Sequence, residues 1–230
     1  DDLIGSFQYM QIVNKMRKDL IGIALNFDRY EWYYAQLKKR YKNLNMPGYQ
    51  NNSGNEMTKR VIDANIKNKR ITSIFSKEGI IQYYDYTPCG IIGVLSEKGI
   101  KQELIYDFSF WSKYKISGFD KYKFGMPIEN HTDLRLKNIF ESYCNSISNL
   151  AVYYLHNNKY SEMEKTLQIL NSFDKNFPPQ YFIRGAYYYQ TGKYNEASEN
   201  FMKVKNLSPG YENIDELLFK CSKKINKSGE

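Results

Sequence analysis

The residues best able to do chemistry in this chain are few and scattered. There are two histidines, His131 and His156, and three cysteines, Cys89, Cys144 and Cys221. Neither set has ligand spacing. Two distant histidines make no metal site, and an odd, sparse set of cysteines without a CxxC pair gives neither a zinc site nor a disulfide framework. Each cysteine reads as a small core residue rather than a nucleophile. Asp1 and Asp2 would serve as a paired acid and base only if a fold brought them to a cleft, and an acidic chain start is ordinarily just solvated. Arg17 and Asp19 flank the start of an apolar run, where a local ion pair explains them. Gly90-x-x-Gly93 is too short for a dinucleotide fingerprint, and there is no Gly-x-Ser-x-Gly elbow. Tyr83-Tyr84-Asp85-Tyr86 could stack bases, but alternate residues of a strand pack a core equally well and no RNA-binding signature accompanies them. The residues therefore predict no catalytic group, no cofactor and no metal.

The elements around these residues are more informative. Aligning Tyr154 with Tyr188 also brings Tyr153 onto Tyr187, Lys159 onto Lys193 and Tyr160 onto Tyr194, a shift of 34 residues. The second copy reads Tyr181-x-x-Arg184-Gly185-x-x-Tyr188, Gly192-Lys-Tyr194, Ala197-x-x-x-Phe201 and Pro209. It resembles the tetratricopeptide repeat family, in which two helices cross closely within each period of about 34 residues. Gly185 and Ala197 would be small because of that crossing. Gly192 would turn the chain and Pro209 would close the second helix. The copies depart from the family pattern. Tyr181 stands for Trp and Arg184 for Leu; the first copy has Ala151 for Gly, Met163 for Ala, Leu167 for Phe and Lys175 for Pro. Asn213 to Ile225 reads as a terminal capping helix, and Leu134 to Tyr143 as a helical lead-in.

The resemblance implies binding rather than catalysis. With the first helix of each pair lining the inner face, Phe182, Ala186, Tyr189 and Gln190 would meet a protein or peptide partner, with Ser148, Val152, Leu155 and His156 in matching places. The alternative is that this face is covered by another part of the same chain.

At 230 residues the chain is one large domain or two small ones, with 42% hydrophobic residues and net charge +8. That charge permits contact with anionic headgroups or nucleic acid, but Lys alternates with Asp and Glu nearly everywhere, the pattern of a solvated surface. No nucleic-acid partner is expected. No apolar run reaches the roughly eighteen residues of a membrane span, and there is no signal peptide. The abrupt acidic start predicts a piece of a longer chain.

Upstream of the repeats the pattern predicts a helix over Leu3–Met16, a buried strand over Leu20–Leu25, and a helix from Tyr30 to about Leu44 capped by Asp28. That helix would carry Trp32, Tyr33, Leu37 and Tyr41 on one side. A helix over Glu56–Lys67 would turn Met57, Val61, Ile62 and Ile66 inward. Strands follow at Ile71–Phe75, Ile80–Tyr86 and Gly90–Leu95, the last two separated by Thr87-Pro88-Cys89, and Asp107–Tyr114 reads as a short helix. The expected fold is α+β or α/β: a small mixed sheet with packed helices over residues 1–125, then an all-α tetratricopeptide-like array over 133–226. Gly, Pro and Asn cluster between the two, near Gly125 to Thr132.

Met16-Arg17-Lys18-Asp19, Glu31-Trp32-Tyr33 with Gln36-Leu37, Arg70-Ile-Thr-Ser-Ile-Phe75 and Tyr86-x-Pro88-x-Gly90-Ile-Ile-Gly-Val-Leu95 carry a second resemblance. They look like the soluble region that follows the membrane bundle in bacterial proteins related to protein O-mannosyltransferases of the GT-C type. Lys18 stands where that family has Pro. The resemblance implies a non-catalytic, extracytoplasmic region of a glycosyltransferase-like membrane protein, held to the membrane by a region upstream. Two alternatives stay open: a cytoplasmic location, and a stand-alone α/β enzyme with a site near Phe27-Asp28 and Phe75-Ser76, at the carboxyl ends of strands.

Overall fold

A computed structural model describes residues 11, 14–15, 19–23, 30–50, 54–73, 82–100, 102–104, 106–113 and 118–228. The described residues form a mixed α+β fold whose three-stranded antiparallel sheet has the order β1-β3-β2. The elements are α1 Glu31–Arg40, α2 Gly54–Asp63, β1 Ile71–Ser73, β2 Tyr84–Cys89, β3 Ile92–Glu97 and α3 Phe108–Ser112. After a 3-10 turn at Asp120–Tyr122 come α4 His131–His156, α5 Tyr160–Phe173, α6 Pro178–Gln190, α7 Tyr194–Leu207 and α8 Ile214–Ser228. The chain forms two compact units. One takes in the described residues up to Tyr86 together with Val94–Gln102; the other has Thr87–Gly93 and the described residues from Glu103.

In the first unit, α1 has Glu31 in its first turn and Lys38, Lys39 and Arg40 in its last, each sign facing the favourable end of the helix dipole. It buries Tyr33, Tyr34 and Leu37. Trp32, expected on the inner side, is 58% exposed and stacks on Tyr30. Tyr34 takes its place, because the inward arc at 3.6 residues per turn runs through positions 33, 34 and 37. The helix stops at Arg40 rather than near Leu44, and Tyr41 leaves helical geometry as its C-cap.

Helix α2 turns Met57 and Ile62 inward, as expected, with Val61 and Ile66 half-buried. It ends at Asp63 instead of Lys67 because Asn65 offers its backbone neighbours another partner. The Asn65 amide accepts from Asn45 N (3.0 Å) and donates to Asn45 O and Val61 O (2.8 Å each). From the sheet, the Tyr84 hydroxyl donates to Asp63 Oδ1 at 2.6 Å, next to Lys59 O at 3.2 Å. Burial, reinforced by the Asp63 carboxylate, pushes the Tyr84 phenol far above its ordinary range.

Strand β3 is the middle strand, and its residues Gly93 to Ser96 are continuously buried. Strand β2 lies at the sheet edge, which is why Pro88 can sit inside it without breaking a ladder. Thr87-Pro88-Cys89 therefore belongs to the strand, and the reversal expected there falls at Gly90-Ile91, with Gly90 at φ +65°. The described part of the expected strand over Leu20–Leu25, residues 20–23, has no strand pairing; Leu20 O instead accepts from Gln11 Nε2 at 2.7 Å. Most of Leu3–Met16, Asp28 and the stretch from Ile74 to Ile81 lie outside the described residues.

In the second unit, the contacts divide at Gln102/Glu103 rather than near Gly125–Thr132. Leu104, Phe108, Phe110, Trp111, Phe119, Tyr122 and Phe124 all pack into the core formed by α4, α5 and α6. Trp111 is 1% exposed and meets Phe110 and Tyr143 edge-on. Phe119 stacks on Phe140 at 5.6 Å. This aromatic segment packs on the first helix pair. Two buried carboxylates fasten it. Asp174 accepts from Phe124 N at 2.6 Å, and Asp133 accepts from Lys121 Nζ at 2.9 Å and Tyr122 OH at 3.1 Å. The short helix expected at Asp107–Tyr114 is α3, with the Asp107 side chain accepting from Ser109 N at its start. The lead-in over Leu134–Tyr143 is continuous with the first repeated helix, giving α4 its 26 residues.

Candidate partner-binding site

The site expected from the sequence lies on the first helices of two helix pairs, α4 with α5 and α6 with α7. Both pairs are helical throughout from Ile147 to Leu207 apart from their turns. Equivalent bonds recur at the same 34-residue shift. Lys159 N donates to Tyr154 O at 2.9 Å, and Lys193 N to Tyr188 O at 2.8 Å. Asn158 N donates to Leu155 O at 3.1 Å, and Gly192 N to Tyr189 O at 3.2 Å. The residues between the helices, Asn158 and Gly192, have φ of 57° and 77°. Only Gly adopts that region at no steric cost, and Asn is among the few others that tolerate it. The recurrence carries on into the linkers: Phe177 N bonds Asp174 O as Tyr211 N bonds Ser208 O.

The crossing inside the second pair is close. A Cβ on Gly185 would stand 2.5 Å from the Phe201 ring, so the residue must be glycine while that ring is there. Ala197 and Phe201 are fully buried, and so are their counterparts Met163 and Leu167, with Ala151 in the place of Gly185. Arg184 departs from the apolar pattern because it reaches back to α5. It makes a two-pronged ion pair with Glu164, at 2.8 and 3.3 Å, in the place where Leu150 is buried in the first pair. Tyr160 and Tyr194 each open the second helix of their pair and are half-buried. Their ring partners differ: Tyr160 meets Tyr187 of the following pair, Tyr194 meets Tyr189 of its own.

The eight residues named for this face divide by burial. Leu155 is 4% exposed, and Val152 and Ala186 pack on the larger core cluster. Phe182 is half-buried between Phe201 and Tyr211, and Tyr189 packs in the same smaller cluster. His156 and Gln190, the last residues of α4 and α6, are exposed and equivalent in the repeat. Ser148 is buried and its hydroxyl donates to Cys144 O. The accessible part of the face is thus its carboxyl-terminal end.

Among the described residues no three His, Cys, Asp or Glu side chains gather as a metal site, and the three cysteines are free. Burial holds the Cys144 thiol far above its usual pKa. In the first unit a small cleft lies beside Asp63, Tyr83, Tyr84, Lys67, Glu97 and Lys98. Its groups are already engaged: Asp63 with Lys59 and Tyr84, Lys67 with Glu97, and Lys98 with Asp85. Asp1, Asp2, Arg17, Phe27-Asp28 and Phe75-Ser76 lie outside the described residues. No protein-family model matches the chain, and no curated protein matches it.

Proposed function

We propose that the helical unit is a short tetratricopeptide-like array that binds a protein or peptide segment and catalyses nothing itself. The observation that carries this reading is the recurrence, at one 34-residue shift, of the inter-helix turn, its hydrogen bonds and the small-residue crossing. Such arrays bury each helix pair only against its neighbours and leave one face of successive first helices for a ligand. The wider setting, the extracytoplasmic region of a glycosyltransferase-like membrane protein, rests on the Met16–Asp19 and Glu31–Tyr33 resemblance. No described helix is long and apolar enough to cross a membrane. Reading the gene upstream of Asp1 tests that setting: a bundle of apolar helices supports it, and a hydrophilic upstream segment removes it.

The binding reading is tested by selecting random short peptides on the immobilised full chain and measuring their affinity for His156→Ala/Gln190→Ala. Both positions are exposed, so the melting temperature should hold. The expected result is peptides whose affinity falls roughly tenfold in the double variant. Selection that yields no binder, or only binders indifferent to this variant, overturns the assignment.

A further inference from the structure

Several tyrosines of this chain give their hydroxyls to the chain itself: Tyr84 to Asp63, Tyr122 to Asp133 and Tyr181 to Lys175 O. Four in the helical unit do not. Tyr153 and Tyr187, equivalent in the repeat, and Tyr189 and Tyr194 are half-buried. Their rings fill seams: Tyr187 meets Tyr160 at 4.8 Å, and Tyr189 meets Tyr194 at 5.4 Å. Their hydroxyls bond no group among the described residues, yet none of the four oxygens is buried. Four donors therefore reach solvent at the carboxyl-terminal ends of α4 and α6 and the start of α7. This is the accessible end of the face described above. Residues three apart share a side of a helix, so Tyr153 lies beside His156 and Tyr187 beside Gln190. Phenylalanine would fill the seams as well, so packing accounts for the rings and not for the hydroxyls.

We propose that this tyrosine band receives a proline-rich segment in the polyproline II form. This rests on the binding reading above and adds the composition and conformation of the partner. The unused groups here are donors, so the occupant must bring unused acceptors. A helix has already bonded its own carbonyls. A strand would need a free sheet edge, and from α4 to α8 the chain is helices and turns. Polyproline II has no internal hydrogen bonds, so its carbonyls are free, and its pyrrolidine rings dock on aromatic side chains. Proline also fixes the segment before it binds, which lowers the ordering cost at an open surface. Tyrosine suits the other side of the contact, being a large, rigid group with an apolar body and a polar tip.

The test titrates labelled decaproline, and a glycine–serine peptide of the same length, into the full chain, into Tyr153→Phe/Tyr187→Phe/Tyr194→Phe, and into the control Tyr41→Phe/Tyr83→Phe on the other unit. The proposal expects saturable binding of decaproline alone, with affinity roughly tenfold lower in the triple variant and near wild type in the control. The three substitutions keep every ring and remove no hydrogen bond within the chain, so the melting temperature should hold. Should the triple variant melt lower, the three single variants read the same loss in parts. Absence of decaproline binding overturns the proposal, as does equal affinity in the triple variant. Equal binding of the glycine–serine peptide overturns it too, since the site would then not select proline. Randomly selected peptides that need His156 and Gln190, but carry no excess of proline and ignore the triple variant, would leave the binding reading standing and remove this one. If selection gives no peptide and decaproline does not bind, both fall.

Discussion

The two helix pairs share a backbone and differ in the side chains that hold it. Their turns match bond for bond, yet one turn uses Asn158 and the other Gly192. At the crossing the first pair has Ala151 with Leu167 and the second has Gly185 with Phe201. The sizes trade off: where the first helix gives up its Cβ, the second gains a phenyl ring. The recurrence thus follows turn geometry rather than residue identity, since beside this exchange the first pair buries Met163 where the second buries the smaller Ala197.

The pairs differ most where their second helices end. Asp174 is 1% exposed and receives Phe124 N and Asn176 N, while its counterpart Ser208 is half-buried. Asp174→Ser, which makes the first pair like the second, should cost about 3 kcal/mol by leaving two part-buried donors unmet, whereas Ser208→Asp should be close to neutral. Denaturant midpoints of the two variants decide this, and equal effects would break the distinction. Next in size is the crossing. Gly185→Ala should cost about 2 kcal/mol through the clash with Phe201. Adding Phe201→Leu to it rebuilds the first pair's arrangement, and the double variant should be more stable than the sum of the two singles. Simple additivity would show that the sizes are not coupled. At the turns the effects are smaller. Gly192→Ala should cost about 1 kcal/mol because of its positive φ, and Asn158→Gly should shift the melting temperature little.

The smallest effect concerns the entry to α4. Hydrogen bonds from Lys121 and then Tyr122 hold the Asp133 carboxyl below the usual carboxylate range. A carboxyl lowered on folding contributes stability that is complete above its unfolded value of about 3.9 and is lost as pH falls through the lower folded value. Melting curves between about pH 5 and pH 3 should therefore fall less steeply for Asp133→Asn than for wild type.

What the sequence revealed follows from how local each constraint is. Gly185, Ala197 and Phe201 could be read at once, because a helix crossing leaves its mark within one period. The aromatic run from Leu104 to Phe124 could not: its partners, among them Phe140 and Asp174, are far along the chain and no periodicity links them. Trp32 misled for a related reason. An aromatic at the start of a helix reads as core by type, whereas burial is decided by which arc faces the neighbouring elements. The reversal at Gly90-Ile91 was displaced by Pro88, whose usual meaning as a strand breaker lapses at a sheet edge. In the face expected to meet a partner, the rows were legible by register. Which of their members stay accessible depended on Tyr211 and Tyr194 packing against Phe182 and Tyr189.

The two tryptophans fall one to each unit, Trp32 at the surface of the first and Trp111 enclosed in the second. An indole in water emits far to the red of one in an apolar core, so the native chain carries two spectrally separable lamps. Unfolding the helical unit moves only the blue one, and a quencher such as iodide reaches only the red one. The loss of order in the helical unit can thus be followed by the blue emission alone, without attaching a dye.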